Sequence, residues 1–118
     1  MLDQAIVIAD KTGVIQTWNA AAQTLFGYEA ADVVGQNLDV IVPPEYREHH
    51  WKGFRAAMDD NNPNIDRASV NVPVLCRGGT VLRLAVRLLV LRDAKKRIFG
   101  AMAIFVPDDD MAPPLPRL

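Results

Sequence analysis

Apolar residues run along this chain in two rhythms. AIVIAD (Ala5 to Asp10) is short, apolar and β-branched, KTG supplies turn chemistry, and VIQTWN (Val14 to Asn19) resumes the strand pattern, so the opening predicts a β-hairpin. The rhythm then lengthens. Asn19 stands where a helix N-cap belongs, ahead of AAAQTLF, Gly27 ends that helix, and Glu29 to Val34 adds another turn or two before Gly35. Asp39 to Val42 leads into Pro43 and Pro44, and proline at a first helical position opens a longer helix that runs to Asp59 or Asp60, where DDNNPN signals a loop. Three strands follow: Ile65 to Arg77, a Gly78-Gly79 turn, Thr80 to Arg92, the polar turn DAKK, and Arg97 to Val106. This order predicts an α+β fold: a five-stranded antiparallel sheet with short helices and one longer helix packed on one face.

Within the longer helix, Tyr46, His50, Phe54 and Ala57 recur at spacings of four, four and three and share a face, while Arg47, Glu48, Lys52 and Arg55 fall elsewhere. His50 is therefore expected on the core side and His49 nearer solvent. Adjacent helical residues point about 100° apart, so the two histidines do not reach one metal ion from a regular helix. On the central strand of the meander, Leu82, Leu84, Val86, Leu88 and Val90 share one face. The last strand, RIFGAMAIFV, is apolar on both faces. One face fills the core and the other needs cover, from the N-terminal residues, from the tail or from a second subunit; a homodimer through this outer sheet face is the expectation.

Composition narrows the classes. A chain of 118 residues that is 50% hydrophobic and 23% charged suits one domain, expected over residues 1–107, followed by an acidic, proline-rich disordered tail at 108–118. A net charge of -1 provides no basic field for a phosphate backbone, so direct nucleic-acid binding is not expected. One cysteine, Cys76, forms no internal disulfide and reads as a packing residue; with no leader-like pattern, a cytoplasmic location is expected. The apolar run LAVRLLVL falls well short of the roughly 20 residues that span a bilayer. No phosphate-cradling loop, nucleophile elbow or paired-ligand metal spacing is present, which points to binding rather than catalysis.

Several strings, taken together, resemble the PAS fold, a sensory and protein-interaction domain. Asp10 and Gly13 match the acidic residue and turn glycine of its first hairpin. Trp18-Asn19-Ala20-Ala21 is similar to its aromatic-Asn-x-Ala step and Leu25-Phe26-Gly27-Tyr28 to its F-G-Y, while Gly35 and Pro43 sit at usual family positions. Arg77-Gly78-Gly79-Thr80 resembles the K/R-D-G-T turn, with Gly78 in place of the acid. The Asp-Ile-Thr-like motif that leads many members into a signalling helix is replaced by Phe105-Val106-Pro107-Asp108. The resemblance covers Ala5 to Val106. It implies a non-catalytic sensory module in signal transduction that binds a small ligand or partner between sheet and helices, lined by Tyr46, His50, Phe54, Val86 and Leu88.

Two cofactor readings come with the resemblance. The flavin photosensor branch carries G-x-N-C-R-F-L, and here Gly35-Gln36-Asn37-Leu38-Asp39-Val40-Ile41 puts leucine at the thiol position, which bars a flavin-cysteinyl adduct there. Rhizobial oxygen-sensor kinases use a histidine of the longer helix as axial ligand of haem b; counted from Pro43 to Arg47, that histidine is His50. Their propionate-binding arginine falls on Ala56, with Arg55 one place off, and their distal arginine near Val70, with Arg67 out of register. A haem-b gas or redox sensor with His50 as metal ligand is thus an alternative, and a ligand-free dimerisation adaptor a further one.

Overall fold

In the computed structural model, residues 4–59 and 69–106 are described. Asn19 explains how the chain turns from strand to helix. Its Oδ1 accepts from the Ala22 N–H and from the Ile6 N–H, each at 2.9 Å, and its Nδ2 donates to the Gln4 carbonyl, also at 2.9 Å. One side chain therefore caps helix α1 (Ala20–Phe26) and clips it to strand β1 (Ala5–Asp10). Gly27, at φ 86°, closes α1 in the left-handed conformation, its N–H bonded to the Gln23 carbonyl.

The expected antiparallel sheet is present. It contains β1, β2 (Ile15–Trp18), β3 (Ser69–Leu75), β4 (Val81–Arg92) and β5 (Ile98–Phe105), in spatial order β2-β1-β5-β4-β3. The first and last strands pair in mid-sheet, from Ala5 opposite Phe105 to Asp10 opposite Gly100. Gly100 permits this approach, because a Cβ there would collide with the Ala9 carbonyl oxygen. Acidic side chains hold two of the turns. Asp10 accepts from the Thr12 hydroxyl at 2.7 Å and from the N–H groups of Thr12 and Val14, bonds that hold its carboxyl below the ordinary value of 3.8, the Thr12 hydroxyl most of all. Asp93 does the same between β4 and β5, accepting from the N–H groups of Lys95 and Arg97.

Boundaries shift in ways that local chemistry accounts for. The prolines open a 3-10 turn at Pro44–Tyr46, and the regular helix α3 begins behind it, at Arg47–Met58. Arg97, expected in the last strand, belongs to the turn, where its backbone and Nε both bond Asp93. The glycine pair sits in a 3-10 turn, Arg77–Gly79, with both glycines at positive φ. The predicted strand start at Ile65 to Ala68, the DDNNPN loop beyond Asp59 and the 108–118 tail lie outside the described residues.

All helices lie over one sheet face. Helix α2 (Ala30–Val33) and a 3-10 turn at Leu38–Ile41 complete that layer. Beneath α1, Phe26 is fully buried between Trp18 and Phe105, with ring centroids 5.2 and 5.1 Å away, and Ile15, Val7 and Leu84 surround them. The face of β4 expected to point inward does so: Leu84 and Val86 are buried, with Leu82 and Leu88 packed at the core's edge.

Candidate functional site

The opposite end of the helical layer is less completely filled. Between α3 and the sheet lies a cavity of about 470 Å³, within the range of small-molecule sites. Its walls follow from residue size. The sheet floor presents Ala101 and Ala103 from β5 and Val72 and Val74 from β3, while α3 contributes Gly53 and Ala57 between its aromatic residues. Where a leucine or phenylalanine would bridge the two layers, small side chains leave a gap.

Bonds to the preceding segment hold α3 over that gap. Trp51 Nε1 donates to Asp39 Oδ1 at 2.7 Å, and Arg47 donates to the carbonyls of Val42 (3.1 Å) and Asp39 (3.2 Å). The Trp51 ring also seats on the β1–β2 turn. A Cβ on Gly13 would overlap that ring, and Gly13 is at φ 88°, so this turn glycine serves the backbone and the helix contact together.

Tyr46, His50, Phe54, Val86 and Leu88 all border the cavity. His50 is half-buried, its ring 4.8 Å from Trp51 and 6.0 Å from Phe54. Burial pushes its imidazole below the ordinary value of 6.5; the Asp39 charge opposes that shift and His49 adds to it. His50 is therefore neutral at pH 7, with one donor and one acceptor nitrogen. Its Nδ1 is buried and has no hydrogen-bond partner among the described residues. His49 is exposed as expected, yet it too reaches the cavity wall and packs its ring on Tyr46 at 5.1 Å.

Residue-level reading missed much of the sheet floor, including Val72, Ala103 and Asn71. The period-two pattern of β5 held the signal, since Ala101, Ala103 and Phe105 alternate along its inner face. Leu38 lines the cavity, so the photosensor thiol position faces the site with an unreactive side chain. Cys76 is buried away from it, its Sγ 3.7 Å from the Leu25 carbonyl, and burial pushes its thiol up.

Haem b fits only in part. His50 offers a neutral imidazole on the cavity wall, the right donor for an axial position. A haem also brings two propionates, and among the described lining residues there is no lysine or arginine. Arg55 is exposed on α3 outside that lining, Val70, near the position expected for the distal arginine, lines the cavity with an apolar side chain, and Arg67 lies outside the described residues. The described wall therefore does not accommodate haem's charged edge.

A single antiparallel sheet carrying helices and a cavity on one face defines a small α+β domain. Residues 2–107 match the family model of the PAS fold, and the chain belongs to that family. An uncharacterized protein of Azorhizobium caulinodans is 30% identical over 112 residues, covering 92% of this chain and 15% of the relative. The sensor protein FixL of Bradyrhizobium diazoefficiens is 33% identical over 64 residues, covering 54% of this chain and 13% of FixL. This chain thus spans a small part of the length of these relatives. Among solved structures, the PAS domain of a Colwellia psychrerythraea protein superposes with a TM-score of 0.75 at 22% identity, over 87% of this chain and 84% of that one. No described helix is long and apolar enough to cross a membrane.

Proposed function

We propose that this chain is a non-catalytic sensory module that takes up a small molecule between α3 and the sheet and reports its presence through the outer sheet face. The carrying observation is the 470 Å³ cavity, whose lining includes His50, a residue with a buried Nδ1 that has no partner among the described residues. Buried polar atoms are ordinarily satisfied, and a ligand is one means of satisfying this one. The reporting surface is the sheet face opposite the helices. By strand alternation Ile8, Met102 and Leu89 line up there across β1, β5 and β4, all half-buried, with the half-buried Ile6 and Ile104 and the exposed Arg87 in the next row; Met102 and Leu89 also border the cavity. These five apolar residues form the patch, Arg87 stands at its β4 margin, and the partner proposed for it is a second copy of this chain.

Ligand uptake would bear on α3, and through Val86, Leu88 and Ala103 on the two strands whose other faces form that interface. The change transmitted cannot exceed the difference in ligand affinity between the two packings of the dimer. The test pairs light scattering with thermal melting. A dimer that Ile8→Lys/Ile104→Lys converts to monomer, together with a melting point raised by at least one small apolar compound, is the expected result. A wild-type monomer would remove the second copy from this scheme; a melting point that no such compound moves would remove the ligand.

A further inference from the structure

We propose that the cavity selects an uncharged, largely apolar ring compound carrying one hydrogen-bonding group that pairs with His50, and that it rejects carboxylates, haem included. This inference rests on the ligand-sensing reading and narrows it to a chemical class. Three observations carry it. First, among the described lining residues there is no lysine, arginine, aspartate or glutamate, so a ligand charge taken inside would lose its water without gaining a partner. Second, the charge that acts on His50 from outside the lining is that of Asp39, whose carboxylate is held by Trp51 and Arg47, and its field opposes a second anion. Third, the polar side chains of the described wall are few, namely Tyr46, His49, His50 and Asn71, and among them His50 lies beside Phe54, ring centroids 6.0 Å apart, with a buried Nδ1 that has no partner among the described residues. Apolar and aromatic walls with few polar contacts recognise ring molecules by area and orient them through those contacts.

Three probes of nearly one shape separate these contributions: naphthalene, 2-naphthol and 2-naphthoate. Equilibrium dialysis against the whole chain at neutral pH is expected to rank 2-naphthol first. Naphthalene should be about tenfold weaker, the worth of one hydrogen bond to a group otherwise left unpaired, and 2-naphthoate weaker than either. In His50→Leu the advantage of 2-naphthol over naphthalene should fall to about one while naphthalene still binds; His50→Gln, which keeps a hydrogen-bonding group, should retain part of it.

The wild-type ranking needs no variant to fold. Tighter binding of 2-naphthoate than of 2-naphthol would overturn the inference, as would a naphthol advantage unchanged in His50→Leu. A Soret band that forms with added haemin and is lost in His50→Leu would overturn it as well. Binding of the probes in the wrong order ends this inference alone, whereas failure of all three to bind ends the ligand-sensing reading and this inference with it.

Discussion

The two ends of the helical layer rest on the same sheet face and are built on opposite plans. Under α1, Trp18, Phe26 and Phe105 interlock, and the polar handle of the group is satisfied because Trp18 Nε1 donates to the Tyr28 carbonyl at 3.0 Å. Under α3, alanine, glycine and valine leave a cavity, and His50 Nδ1 has no partner among the described residues. Phe105 belongs to both regions and marks the boundary between them. The difference shows how one small domain divides its work: the first end specifies the fold by filling space, and the second keeps space for something else. A small chain has little stability to spare, so the open end depends on the closed one.

Substitutions can break this contrast, the largest effect coming first. Phe26→Ala should destabilise by about 3–5 kcal/mol, the range for deleting a fully buried aromatic side chain, as read by urea unfolding with an unchanged m-value. Asn19→Ala should cost about 2 kcal/mol, because one change removes the α1 cap and both bonds to the β1 segment. At the open end the sign should reverse. Ala103→Leu places atoms where the cavity is and should stabilise by about 1 kcal/mol while abolishing uptake of small apolar probes. Loss of stability in Ala103→Leu would mean that the two ends are packed alike.

The smallest effect is a pH dependence. His50 titrates lower in the folded chain than its ordinary 6.5, so on acidification the unfolded chain takes up the proton first. Stability should therefore decline as the pH falls through 6.5 and level off below the folded value. The slope should stay well under about 1.4 kcal/mol per pH unit, the ceiling for one group. Asp10 and Asp93 are shifted down from 3.8, so their contribution is full above that value and is lost only as the pH falls through their folded values. The first loss begins at 6.5 and the second at 3.8. Melting curves of His50→Leu should lack the decline below 6.5 and keep the acid loss; a decline that persists in the variant would assign it to another group.

Most of the closed end could be read from the chain itself. The N-cap at Asn19, the helix stop at Gly27 and the hairpin turns are short-range devices, in which a residue acts on neighbours a few positions away, and the strand pattern of β4 named its inward face correctly. The open end was legible as a set of residues and not as a volume. Tyr46, His50 and Phe54 fall on one helical face by spacing alone, and Val86 and Leu88 on one strand face. The gap between them depends on how far α3 stands from the sheet, and that distance is set by Trp51 reaching Asp39 and Gly13, contacts across 12 and 38 positions that no local pattern announces.

By itself, then, the sequence determined the strands, the helix caps and the faces of each element, since periodicity and backbone preference act within a few residues. Only the tertiary structure decided that Phe26 would be enclosed and His50 left with an unpartnered nitrogen at a cavity. Packing density and hydrogen-bond satisfaction are properties of surfaces brought together from distant parts of the chain.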